Sequence, residues 1–275
     1  MERSWDSGNT ASLYNPDMEV IALQSGSNGN CIYVEAGGKQ LLFDAGISGV
    51  QAENRLAEHG RDIRDVDALI ISHDHSDHTR CMGVYHRKFG LPIHVTDETI
   101  SALQRKNRTG RIDDVQRFKS GSTLNFGHVR VETIKTPHDA VDGVAFVVDD
   151  GSNRLGILTD LGHVFSGLDC LLSTLDAVII ESNYDTDMLA NGPYPESLKR
   201  RISGPGGHLS NAESANLLLR SDNRTLQWVC MGHLSEHNND PDLVYQTHRT
   251  TLGTQFPLFV ADRYAGKTLP RLKPR

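Results

Sequence analysis

Within ISHDHSDH, residues 71–78, four side chains able to bind a metal fall inside six positions: His73, His75, Asp77 and His78. The run follows VDALIIS at 66–72, a nearly continuous apolar stretch suited to a strand buried on both faces. Concentrating so many polar groups in a turn next to a buried strand is costly unless they are paired or coordinate a cation. Neutral imidazoles and a carboxylate suit zinc, manganese or iron. The alternative is a histidine-rich surface turn that caps the next helix. Four residues so close in sequence cannot enclose two ions, so further ligands are expected at the ends of other strands. His138 in TPHDA, Asp160 in TDLG and His233 in MGHLS each sit just past such a strand. Taken singly each reads as a turn residue; with the first motif they make seven ligands.

The surrounding pattern places these residues. MEVIALQ, CIYVEA and KQLLFDAG are short β-type runs separated by glycine-rich turns, a β-meander. VQAENRLAEHG and TRCMGVYHRKFG read as helices ending at Gly60 and Gly90, LPIHVT as a strand, and DETISALQRKN as a capped helix. Two more strands are expected in 127–149, then RLGILTD, LDAVIIES and LQWVCMGH, interleaved with helices near 195–203, 211–221 and 240–251. Two similar halves, with sheets inside and helices outside, fit this order. Residues 1–17 are expected to form a disordered tail, 18–265 the domain, and 266–275 a C-terminal tail.

The net charge of −7 argues against sequence-independent coating of nucleic acid. It leaves room for a local anion site, because bound divalent cations add positive charge. Cys31, Cys81, Cys170 and Cys230 form no C-x-x-C pair and read as single buried thiols. With no apolar run of about 18 residues and no apolar stretch in MERSWDSGNTASLYNPD, a cytoplasmic location without membrane association is the expectation. Oligomeric state is left open.

In these motifs and their order, from about Met18 to Ala265, the chain resembles the metallo-β-lactamase fold superfamily. That likeness implies a four-layer αββα sandwich with a dinuclear site on loops at one edge of its sheets. It also implies that His73, His75 and His138 hold one metal, Asp77, His78 and His233 the other, and that Asp160 bridges them. Asp44, in LLFDAG, would support the metal loop from behind. An aspartate at 160, rather than the cysteine usual in zinc lactamases, suits two cations sharing one hydroxide, the arrangement for phosphodiesters and some thioesters. SGSNGNC, FDAGIS, SHDHSDH, TPHDA, ESNYD, GHLSN and GHLSEHNN together resemble the YycJ/WalJ-type bacterial exonucleases of this fold. The implied function is a metal-dependent DNA exonuclease, 5′-to-3′, with two divalent ions, zinc or manganese and with iron also accepted. The rivals are a phosphodiesterase for small or cyclic diesters, a thioesterase, and a metal-bound sensor or interaction module without turnover.

GHLS occurs twice, at 207–210 and 232–235. His233 ends a strand and belongs with the ligands. His208 precedes a helix whose Ser210 and Glu213 have capping-box spacing, beside the anion-favouring N-terminus. By analogy with related phosphodiesterases it would give the leaving oxygen its proton, while Asp77 would orient the hydroxide as well as bind metal. Substrate contacts are expected from Ser27 and Asn30, by resemblance, in a turn that equally reads as a hairpin connection. Others are expected from Arg105, Lys106 and Arg108 of the basic stretch 104–119, which also reads as a solvated helix and loop.

Overall fold

A computed structural model of the chain describes residues 17–222 and 224–274. In chain order the strands are β1 (Glu19–Gln24), β2 (Cys31–Ala36), β3 (Lys39–Phe43), β4 (Ala68–Ile70), β5 (Ile93–Thr96), β6 (Val115–Phe118) and β7 (Thr123–Phe126). They continue as β8 (Val129–Lys135), β9 (Val144–Asp149), β10 (Arg154–Leu158), β11 (Ala177–Glu181), β12 (Trp228–Gly232), β13 (Leu258–Val260) and β14 (Lys267–Thr268). The helices are α1 (Gly49–Glu58), α2 (Ser76–Thr79), α3 (Met82–Phe89), α4 (Asp97–Arg105), α5 (Leu168–Leu172), α6 (Thr186–Asn191), α7 (Glu196–Ile202), α8 (Asn211–Arg220) and α9 (Pro241–Leu252).

Because side chains alternate across a strand, each strand serves two cores. Val20 and Ala22 of β1 point into a core shared with the other sheet, where they join Val131, Phe146 and Ile179. Ile21 and Leu23 point the other way, onto Leu56 of α1, Tyr85 of α3 and Leu103 of α4. The second sheet repeats this, its outer residues Val147, Val178 and Met231 packing under α5, α8 and α9. Helices, sheet, sheet and helices are thus stacked in the αββα order that the resemblance implied.

The strand orders are β14-β1-β2-β3-β4-β5-β6 and β13-β12-β11-β10-β9-β8-β7. Both sheets begin as antiparallel meanders, β1-β2-β3 and β7-β8-β9-β10. They then turn parallel, β3 to β6 and β10 to β13. Parallel pairing needs crossovers, and their strands deliver the loops after β3, β4, β10 and β12 to one edge, where ligands of α/β sheets collect.

Several expectations need correction. Of the expected C-terminal tail 266–275, the described residues 266–274 are not a tail: β14 pairs antiparallel with β1, and Leu269 and Leu272 are buried in the inter-sheet core. Its polar, proline-containing sequence hides two apolar anchors. Most of the expected N-terminal tail, residues 1–16, lies outside the described residues. β6 and β7 were not foreseen because they are edge strands with polar, partly exposed faces. The short helices α5 and α6 were missed for want of a full period. Cys31 and Cys230 are buried free thiols, but Cys170 is exposed. Among the described residues no helix is long and apolar enough to cross a membrane.

Candidate metal centre

Of the described non-glycine residues, Asp44, Asn107, Asp160 and His233 have positive φ. Three of these four are site residues at strand ends. A left-handed residue there costs roughly 1–2 kcal/mol. The strain is held by tertiary contacts: the backbone N–H of His233 donates to Ser25 Oγ and that of Asp160 to Glu181 Oε1.

The loop after β4 is pinned from below by Asp44. Its carboxylate accepts from the Ser72 N–H and hydroxyl and lies 2.7 Å from His78 Nδ1. Ala45 donates to the His78 carbonyl and Cys81 to the Ala45 carbonyl, clamping the DAG turn onto the end of α2. A side chain at Gly46 would overlap the Asp77 carbonyl, so only glycine permits this approach.

All seven predicted ligands converge. His75 Nδ1 and His138 Nε2 lie 3.1 Å apart, and His138 Nε2 is 3.5 Å from Asp160 Oδ1. His78 Nε2 is 3.3 Å from Asp160 Oδ2 and 3.4 Å from Asp77 Oδ2. His233 Nε2 is 3.4 Å from Asp77 Oδ2 and 3.5 Å from Asp160 Oδ1. The separations of 3.3–3.5 Å are long for hydrogen bonds, but they match the edge of a tetrahedron with bonds of about 2.0–2.1 Å to a central cation. His73 Nε2 and Asp160 Oδ2 are buried with no hydrogen-bond partner, another sign of donor atoms meant for a cation. Within the cluster, His73, His75 and His138 form one possible ligand set, and Asp77, His78 and His233 another.

The outward nitrogens are held as metal-binding imidazoles usually are. His138 Nδ1 donates to the Gly207 carbonyl, His73 Nδ1 lies 2.9 Å from Ser72 Oγ, and His233 Nδ1 lies 3.1 Å from Glu181 Oε1. Burial, together with the neighbouring His78, His75 and His138, holds His73 well below the usual imidazole range, which favours a neutral imidazole. Burial opposes charge at His78 too, yet Asp160, Asp44 and Asp77 raise it well above that range. At His233 the carboxylates again outweigh burial and raise it to about 10. Three buried acids, Asp44, Asp160 and Glu181, together with the half-buried Asp77, thus impose a field that demands cationic charge.

Glu181 is the functional residue that sequence reasoning left without a role, although it closes the apolar run LDAVIIE. It is fully buried and takes five donors: His208 Nδ1 at 2.8 Å, His233 Nδ1, and the N–H groups of Asp160, Leu161 and Leu209. Burial resists its ionisation, but His208 and His233 hold the carboxyl well below its usual range. Asp160, Glu181, His208 and His233 also lie close enough to form a ligand set. The Glu181 oxygens and His208 Nδ1 are already consumed by these contacts, which makes this a hydrogen-bonded support.

A cleft of about 370 Å³ opens over the cluster, lined by His75, Asp77, Asp160, His208 and His233. Ser27, Lys106 and Arg108 reach it, as does Arg201, which sequence reasoning missed. Two of the expected substrate contacts do not. Asn30 is buried beneath the loop, its amide 3.1 Å from His78 Nε2. Arg105, at the end of α4, lines a separate depression with Asp97 and Glu98. His163 lies outside the cleft lining, its Nδ1 donating to the Pro205 carbonyl. A larger hollow of about 540 Å³ beside Tyr245 and Lys267 contains none of the ligands.

The model of the metallo-beta-lactamase superfamily matches residues 25–233. The chain is 38% identical over 229 residues to exodeoxyribonuclease WalJ of Streptococcus pneumoniae, covering 82% of this chain and 84% of that one. It is 34% identical over 228 residues to exodeoxyribonuclease YycJ of Bacillus anthracis, covering 82% and 86%. The metallo-beta-lactamase fold protein YhfI from Bacillus subtilis superposes with a TM-score of 0.70 at 18% identity, covering 92% of this chain and all of that one.

Proposed function

Because the chain belongs to the metallo-β-lactamase superfamily and, within it, to the family of the WalJ and YycJ exodeoxyribonucleases, we propose that it is a divalent-metal-dependent exonuclease that hydrolyses DNA from an end. The 5′-to-3′ direction implied by the family resemblance is part of this reading. The observation that carries it is the convergence of seven donor residues beneath a cleft, with a further histidine held at its margin by Glu181.

His73, His75 and His138 would hold one cation and Asp77, His78 and His233 a second, with Asp160 between them. The donor set of imidazoles and carboxylates suits zinc or manganese, and accepts iron. Cations bound there supply Lewis acidity to a phosphoryl oxygen and make water acidic enough to attack near neutral pH. Asp77 Oδ2, between His78 and His233, orients the attacking water. As the bond from phosphorus to the sugar oxygen breaks, that oxygen needs a proton. His208 supplies it from Nε2, since its Nδ1 is committed to Glu181. Its side chain is 13% exposed at the cleft, against 2% for His233 among the ligands. The capped N-terminus of α8, two residues on, favours the phosphate.

The test is the purified chain with Mn²⁺ or Zn²⁺ on end-labelled single- and double-stranded DNA, beside an Asp77→Ala control. Progressive shortening that the control lacks is expected, and product lengths report direction. Hydrolysis of small diesters without any of DNA would overturn the exonuclease reading. A metal-loaded chain inert toward every ester would make it a binding module.

A further inference from the structure

The cleft over the ligands carries two chemically different linings. One is basic and comes from the loop after α4. Lys106 and Arg108 reach the cleft there, and Arg201 adds a third cation from α7. Lys106 is paired with Asp74 at 3.0 Å and Arg201 makes two hydrogen bonds to Asp139. Arg108 is exposed and has no carboxylate partner among the described residues. The cation free to meet a phosphate is therefore Arg108.

The other lining is apolar, which a cleft built only to receive phosphates would not need. Tyr194, Leu198 and Ile202 face the same space as the ligands. Tyr194 and Leu198 are half-buried and rest on the small cluster of Tyr184, Leu189 and Ile202. The Tyr194 ring meets His237 edge-on at 5.8 Å and has no parallel stacking partner among the described residues. A nucleotide is amphipathic in the matching sense, with an anionic phosphate and a flat base. Aromatic platforms bind such bases with little regard to sequence, because every base has a π-face.

Resting on the exonuclease reading, we propose that Tyr194, seated on Leu198 and Ile202, is the stacking platform for the base of the terminal nucleotide, and that Arg108 holds that nucleotide's phosphate. The enzyme then grips an unpaired end and tolerates any base there.

The test uses the full chain with Mn²⁺ and single-stranded oligonucleotides that end either in a normal nucleotide or in an abasic one. The wild type is expected to prefer the base-bearing end in kcat/KM by roughly 5- to 150-fold, the range of one base–aromatic stack. Tyr194→Ala should erase that preference, while Tyr194→Trp should keep it. Arg108→Gln should flatten the dependence of log affinity on log salt by about 0.7. Equal use of both ends by the wild type would overturn the proposal, as would Tyr194→Ala slowing both ends by one factor. A wild type that cleaves small diesters and no DNA would instead remove the exonuclease reading, and the platform with it.

Discussion

Residues 207–210 and 232–235 carry the same tetrapeptide on different backbones. The first crosses from α7 into α8; the second leaves β12 through a left-handed residue at His233, φ 58°. Both leucines, Leu209 and Leu234, are fully buried, so both segments are anchored alike. Both histidines also turn Nδ1 to one oxygen, Glu181 Oε1, at 2.8 Å for His208 and 3.1 Å for His233. They part at Nε2. In His233 it lies among the carboxylates of Asp77 and Asp160, whereas His208 stands at the cleft, with its ring 5.1 Å from that of His233. On the proposed reading, one carboxylate therefore supports a metal ligand and a proton donor together, and the flanking element decides which is which.

Separating the two histidines gives the largest expected effect. His208→Ala should lower turnover by roughly 10²- to 10⁴-fold, the usual worth of a positioned acid, while metal content by elemental analysis stays at the wild-type level. His233→Ala should reduce the metal bound per chain by about one equivalent. Metal loss in the His208 variant would make the two segments equivalent and abolish the distinction drawn between them.

Glu181→Gln attacks what the histidines share. An amide has one acceptor oxygen where the carboxylate serves five donors, so some buried N–H groups are left unpaired. Loss of such an outer support typically weakens metal affinity about 10- to 100-fold. Here slower turnover should accompany it at saturating metal, because His208 loses the same partner. Weaker metal binding with unchanged saturated turnover would show that Glu181 serves His233 alone.

How much of this was legible follows the chain's own locality. His73, His75, Asp77 and His78 are adjacent, and His138, Asp160 and His233 each end an apolar run, so all seven could be named from the sequence. Glu181 could be quoted but given no role, because its donors come from residues 160–161, 208–209 and 233, which only the fold brings together. The basic stretch reads as phosphate contacts from Arg105, Lys106 and Arg108 or as a solvated helix and loop. It divides where α4 ends: Arg105, the last helical residue, lines a separate depression, whereas the C-cap Lys106 and Arg108, beyond the left-handed Asn107 (φ 55°), line the cleft. Sheet edges were the other blind spot. β6 and β7 carry polar faces, and β14 with its two anchoring leucines reads as a tail until β1 is beside it.

The glycines of the two tetrapeptides give the smallest and most local contrast. A Cβ on Gly207 would overlap the Ile202 carbonyl, which accepts the His208 N–H, and backbone cannot yield there as a side chain can. A Cβ on Gly232 would meet Ser25 Oγ at 2.8 Å and Ile179 Cγ2 at 3.1 Å, side-chain atoms and a wider clearance than Gly207 has, although Ser25 Oγ also accepts the His233 N–H. Overpacking costs about 1–3 kcal/mol, so Gly207→Ala should fall at the upper end of that range and Gly232→Ala at the lower, by urea denaturation. Gly207→Ala should also weaken metal binding, because the Gly207 carbonyl accepts from His138 Nδ1 and fixes which nitrogen faces the cluster. A Gly232 variant as damaging as the Gly207 one would mean that the strand end, not the approach to α8, is the tighter of the two settings.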